Sequence, residues 1–262
     1  MNIKLLQRGT VAVFLLTLAA FVGLKFYTAR YVDTTPPVIT FDSDVLEVEV
    51  GAAEEALLAG VTAADDRDGD LTDEIMIKGI SHLITADSAK ITYIAFDSSN
   101  NMSTATRTLR YTDYEKPRFD LRQPLFFPTG SPVHLLDRLT ASDVVDGDIS
   151  ANIRVTTQNV DTTRAGVYSV TVQVSNSLGD LESLPLKVTM TDSAQAEPAV
   201  LLSDYIVYLK TGHTFVPISS ILAPDDRSAV AVDSAVNTKV PGIYEVTYTY
   251  QGDTVYQTVI VR

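Results

Sequence analysis

From residue 38 onward, apolar and polar positions alternate in short runs. Tyr168, Val170, Val172 and Val174 fall on one parity, and Ser169, Thr171 and Gln173 on the other. A period of two is the signature of a strand with one wet face. Leu46, Val48 and Val50 alternate with Glu47 and Glu49 in the same way, and Leu186, Val188 and Met190 with Lys187 and Thr189. Strands are also expected from Lys90 to Phe96 and from Met102 to Tyr111, joined by a turn of Asp97, Ser98, Ser99, Asn100 and Asn101. Tyr244 to Tyr250 and Thr254 to Val261 flank Gln251, Gly252 and Asp253 and read as a hairpin. No long stretch after residue 30 has helical periodicity.

Residues 9–27 break this pattern. No charge falls between Arg8 and Lys25. The run sits between the length of a spanning helix, about 20 residues, and that of a signal-peptide core, about 7–15. Lys25 can snorkel, and Tyr27 and Tyr31 suit a membrane interface. Lys4 and Arg8 precede the segment, so the expected reading is an uncleaved signal anchor with residues 1–8 in the cytoplasm and the body outside. A cleaved signal peptide is the alternative, and it leaves the body on the same side.

The strand pattern repeats. Asp65, Asp68, Gly69 and Asp70 are followed by Leu71 and Thr72; Asp143, Asp146, Gly147 and Asp148 are followed by Ile149 and Ser150. Both read D-x-x-D-G-D, and matching residues lie 78 apart. Gly166 and Tyr168 recur as Gly242 and Tyr244. Such offsets mark an internal repeat. Units of this size built from short strands are antiparallel sandwiches. The expected fold is therefore all-β: three tandem Ig-like β-sandwich domains after one N-terminal transmembrane helix. The expected organisation is a linker at 28–37, domains at 38–114 and 115–192, a flexible linker at 193–198, and a shorter, divergent domain at 199–262. Together the three would form a rod.

At these residues the chain resembles the bacterial immunoglobulin-like repeat named from a pesticidal crystal protein. The pattern runs through Asp65 to Thr72, Lys90 to Phe96, Asp97 to Asn101 and Met102 to Tyr111. It runs again through Asp143 to Ser150, Gly166 to Val174 and Asn176 to Gly179. It covers residues 35–192 well and 197–262 in part. The first repeat lacks the Gly-x-Tyr and has Asn100 where the turn glycine is usual; the third lacks the acidic turn. The resemblance implies a repeat found on bacterial surface proteins and says little about function.

Charge narrows the partners. Of 20 Lys and Arg residues, four lie in residues 1–30, which hold no acid; the remainder face 33 Asp and Glu. A body this acidic repels nucleic acid. The chain has no Cys, which excludes disulfides and thiolate chemistry and suits a bacterial rather than a eukaryotic exported protein.

The candidate chemistry is calcium. Asp65, Asp68 and Asp70, or Asp143, Asp146 and Asp148, could present several hard oxygens, with Asp97 adding another. The competing reading is turn chemistry, in which these carboxylates accept backbone N–H bonds. An EF-hand is excluded, because a loop starting at Asp66 would place Leu71 and Ile77 at positions that require Gly and Glu. Tyr168 and Tyr244 read as corner tyrosines bonded to backbone, with a glycan platform as the alternative. His82, His134 and His213 have no metal-like spacing, and no catalytic motif occurs, so no enzyme is expected. The expected function is a non-enzymatic stalk or adhesion module at the cell surface, held in the membrane by residues 9–27 and meeting a surface protein or glycan. The alternatives are an ectodomain that senses or assembles with envelope machinery, and an unrecognised hydrolase.

Overall fold

The computed structural model describes residues 3–192 and 197–262, with side chains from residue 8 onward except at 29 and 30. The first two residues of the expected cytoplasmic tail and residues 193–196 of the expected linker lie outside the described residues. The chain divides into two compact units, Met1–Thr112 and Asp113–Arg262.

The first unit begins with helix α1, Ile3–Tyr31. Its stretch Arg8–Thr28 is long and apolar enough to cross a membrane, and none of it is buried against protein. A signal sequence has the same character. Seven strands follow: β1 (Val38–Phe41), β2 (Val45–Val48), β3 (Val61–Asp65), β4 (Gly69–Asp70), β5 (Met76–Ile80), β6 (Ser88–Phe96) and β7 (Met102–Tyr111). A single helical turn, α2 (Glu54–Leu57), lies between β2 and β3. One sheet runs β1-β3-β4 and the other β2-β7-β6-β5. The turn at Asp42, Ser43 and Asp44 moves the chain from one sheet to the other, so β2 pairs parallel to the closing strand β7. Ala89, Ile91, Tyr93 and Ala95 alternate into the core and are fully buried.

The second unit repeats this plan twice. Its first seven strands are β8 (Arg118–Leu121), β9 (Phe126–Pro128), β10 (Leu139–Asp143), β11 (Gly147–Asp148), β12 (Arg154–Gln158), β13 (Gly166–Ser175) and β14 (Leu181–Thr191). They form sheets β8-β10-β11 and β9-β14-β13-β12, with β9 parallel to β14. Bulges in β5 and β12 fall at matching places, after Ile77 and after Val155. The last six strands are β15 (Leu201–Leu202), β16 (Ile206–Leu209), β17 (Ile221–Ala223), β18 (Ala231–Ser234), β19 (Gly242–Tyr250) and β20 (Asp253–Val261). They give sheets β15-β17 and β16-β20-β19-β18, with β16 parallel to β20. The fold is all-β, a series of β-sandwich-like sheets behind one apolar helix. At the β19–β20 turn, Gln251 and Gly252 both have positive φ, 51° and 91°, as a tight two-residue hairpin requires.

The second and third repeats share one core. Buried apolar residues run without a break from Phe119 through Val172 and Leu186 to Leu202, Tyr248 and Val261. Tyr205 donates its N–H to the Leu121 carbonyl at 2.8 Å. Phe119 donates its N–H to the Tyr208 hydroxyl at 2.9 Å, and Arg262 pairs with Glu182 at 2.7 Å. A polar linker composition suggests a loose joint, but flanking strands set packing, and here they bury large apolar residues against each other.

Candidate functional site

Each D-x-x-D-G-D stretch is a tight hairpin, with Asp65 opposite Gly69 and Asp143 opposite Gly147. The glycines have φ of 79° and 72°, which only glycine adopts without strain. The three aspartates of each loop have three different tasks. The first closes the loop: Asp65 Oδ1 accepts the N–H groups of Arg67 at 2.8 Å and Asp68 at 3.0 Å. Asp143 Oδ1 does the same for Val145 at 3.2 Å and Asp146 at 2.8 Å. The last turns the chain into a 3-10 helix: Asp70 accepts the Thr72 N–H at 3.0 Å, and Asp148 the Ser150 N–H at 2.9 Å.

The middle aspartate ties the loop to the distant β6–β7 or β13–β14 turn. Asp68 accepts both the N–H and the hydroxyl of Ser98, at 2.8 and 2.9 Å. Asp146 accepts both from Ser177, at 2.6 and 2.7 Å. The Asp68 and Arg67 N–H groups hold the Asp65 carboxyl below its ordinary 3.8. The Thr72 and Ser150 hydroxyls do so for Asp70 and Asp148.

The two loops differ at one place. The first residue of the tied turn is Asp97 in the first repeat and Asn176 in the second; four residues on stand Asn101 and Asp180, so acid and amide exchange places. In the second repeat, Asn176 Nδ2 donates to Asp143 Oδ2 at 2.6 Å and to the Tyr114 hydroxyl at 2.9 Å. Tyr114 in turn donates to Asp180 Oδ2 at 2.7 Å. Every oxygen of Asp143 is then satisfied. In the first repeat the amide sits on Asn101 and donates to Asp97 Oδ2 at 2.7 Å. Nothing is left to donate to Asp65 Oδ2, which is buried with no hydrogen-bond partner among the described residues.

Oxygens of Asp65, Asp68 and Asp97 lie within 4.8 Å of one another, and Asp65 also groups with Asp33 and Asp66. Asp33 and Asp97 are buried. Among the described residues, no trio of this kind forms around Asp143, Asp146 and Asp148. Asp70 is turned to Thr72 and belongs to neither group. Asp33 and Asp66 are not fixed positions of the D-x-x-D-G-D motif, and their place in the group emerges only from the folded arrangement. A cluster of hard oxygens with an unpaired buried member has the chemistry that calcium takes.

The corner tyrosines behave as the sequence indicates. Tyr168 donates its hydroxyl to the Arg164 carbonyl and Tyr244 to the Val240 carbonyl, each at 2.9 Å. A Cβ at Gly166 or Gly242 would sit 3.4–3.6 Å from those rings, at ordinary van der Waals contact.

No family model matches the chain. Over 120 residues it is 34% identical to the pesticidal crystal protein Cry22Aa of Bacillus thuringiensis. That match covers 42% of this chain and 16% of the length of the relative. Among solved structures, the CBM51-2 and INT domains of Clostridium perfringens ZmpB are similar at 16% identity and a TM-score of 0.24, over 64% of this chain and 28% of that one. The S-layer protein rSbsC is similar at 12% identity and a TM-score of 0.20, over 87% of this chain and 40% of that one. The chain is thus similar, over somewhat less than half its length, to about a sixth of a pesticidal crystal protein.

Proposed function

We propose that this chain is a non-enzymatic, extracytoplasmic display module. Helix α1 holds it in the membrane as an uncleaved anchor. Three Ig-like units, at 38–114, 115–192 and 199–262, carry binding or adhesive surfaces for a surface protein or glycan. The observation that carries this reading is the wholly unburied apolar stretch Arg8–Thr28 ahead of acidic β-units. In water such a face is costly, and a bilayer removes the cost. The first loop adds a structural cation: Asp65, Asp68 and Asp97 bind calcium, with Asp33 and Asp66 beside them. The bound ion would link β3 to the β6–β7 turn, which brings stiffness rather than catalysis. The second loop reaches the same shape through the Asn176 amide and needs no ion.

Because the chain has no cysteine, a single introduced one reports its side of the membrane. Glu55, which is exposed, and Asn2 are suitable positions. In spheroplasts, a membrane-impermeant maleimide is expected to label Glu55→Cys directly and Asn2→Cys only after lysis. Labelling with the opposite sidedness would sink the reading. Loss of the Asn2 cysteine from the mature protein would replace the anchor with a cleaved leader.

A further inference from the structure

The charge of this protein is unevenly placed within the unit Asp113–Arg262. A cleft of about 590 Å³ lies beside β8, the end of β16 and the residue after β20. Tyr114, Lys116, Arg118, Tyr208, Lys210 and Arg262 line it. Four of those six are permanently cationic near neutral pH, in a chain whose formal net charge is −13. Glu115 also lines the cleft, and Glu182 adjoins it through Arg262.

The two arginines are held in place. Their guanidinium carbons lie 5.4 Å (Arg118) and 4.7 Å (Arg262) from the centre of the Tyr208 ring. Tyr208 is itself fixed, because its hydroxyl accepts the Phe119 N–H at 2.9 Å. Arg118 pairs with Glu115 through Nη2, and Arg262 uses its Nη2 on Glu182 and on the Pro117 carbonyl. Each bond engages one terminal nitrogen, so each guanidinium keeps further N–H donors. Lys116 and Lys210 are exposed and form no ion pair among the described residues. Asp180 adjoins the cleft through Tyr114, so three acids stand against four bases and positive charge remains in excess in a concave place.

We infer that this cleft binds an oxyanionic saccharide, a sugar bearing a carboxylate or a phosphate. Planar guanidiniums suit the paired oxygens of either group, and ammonium groups at the rim steer an anion inward. The tyrosine rings and the flanking cations supply the mixed apolar and polar wall that a sugar ring needs, and the volume lies in the range of small-ligand sites. The inference deepens the display reading by naming a ligand class and a place. It stands or falls apart from the membrane anchor, because it can be read on detergent-solubilised protein.

The test is calorimetric titration of the full chain in detergent micelles with an oligoglucuronate, with glucose 1-phosphate and with a neutral glucose oligomer. The acidic probes are expected to bind and the neutral one not. Binding of only the uronate or only the phosphate would support the site and identify which anion it takes. The double variant Lys116→Glu, Lys210→Glu is expected to bind at least about tenfold more weakly while melting like the parent, since both side chains are exposed. Arg164→Glu, an exposed change before the start of β13, at the end of that sheet away from Glu182, is the control and leaves binding unchanged. Equal binding of the neutral oligomer, no binding of either anion, or equal weakening by Arg164→Glu would each overturn the inference.

Discussion

Replacing Arg107 with alanine is expected to destabilise the unit Met1–Thr112 by about 3 kcal/mol, more than any surface change. Arg107 is a cation inside a sandwich core, 3% exposed. Its Nη2 donates to the Ala59 carbonyl at 2.6 Å and to the Leu57 carbonyl at 3.3 Å. Its Nε donates to the Tyr93 hydroxyl at 2.9 Å. The guanidinium also lies over the rings of Phe41 and Tyr93, at 5.4 and 5.3 Å. The ion pair with Asp42 matters least, because Asp42 is 70% exposed and the 3.7 Å separation is screened by water. Alanine would leave a cavity beside Tyr93 and remove the donor that the Ala59 carbonyl accepts from. For a domain of this size the loss corresponds to a fall in melting temperature of roughly 12–24 °C.

The other repeats supply the control. The position matching Arg107 holds Leu186 in the second repeat, where Val172 replaces Tyr93. In the third it holds Gln257, which accepts from the Tyr248 hydroxyl at 2.7 Å and donates to the Asp204 carbonyl at 2.7 Å. The fold thus admits a polar pair or an apolar one, provided both members agree. Arg107→Met keeps most of the volume and is expected to cost less than Arg107→Ala. A loss below about 1 kcal/mol for the alanine variant, read by denaturant unfolding, would show that the buried guanidinium is not structural.

The second large effect is expected at Leu121. Leu121→Ala should destabilise the unit Asp113–Arg262 by about 2–5 kcal/mol, the usual cost of a buried leucine. Leu121 is 2% exposed on β8 and its carbonyl accepts the Tyr205 N–H. It packs in the core that the second and third repeats share. The distinctive expectation is where the loss is felt. Hydrogen exchange should quicken in β13–β14 and in β19–β20 together, because elements on one core open as one cooperative body. Faster exchange confined to β13–β14 would mean that the two repeats are independent beads.

Much of this fold is visible in the sequence, for a plain reason. The alternation of Tyr168, Val170, Val172 and Val174 is the core face of β13, and no other element competes for that pattern. The repeated D-x-x-D-G-D is visible because each aspartate and glycine answers a local backbone need within a few residues. The shared core is not visible, since it depends on which strands meet. The contrast between the two loops is hidden for a related reason. The exchange of Asp97 and Asn101 for Asn176 and Asp180 acquires meaning only when the turn folds back on a loop about 30 residues earlier. The basic cleft is hidden too, because Lys116, Arg118, Lys210 and Arg262 are scattered along a chain that is acidic as a whole.

On the function proposed above, the first aspartate loop holds a cation and the second does not. The most direct test is a thermal melt of the full chain in detergent micelles, in calcium and in EDTA, for the parent, Asp97→Asn and Asp143→Asn. Calcium at a hundred times its dissociation constant would stabilise the first unit by about 2.7 kcal/mol. A clear upward shift of one transition is expected in the parent and in Asp143→Asn. No shift is expected in Asp97→Asn, whose new amide stands where Asn176 stands in the second repeat. No shift in the parent at millimolar calcium, or a shift lost in Asp143→Asn but kept in Asp97→Asn, would contradict it.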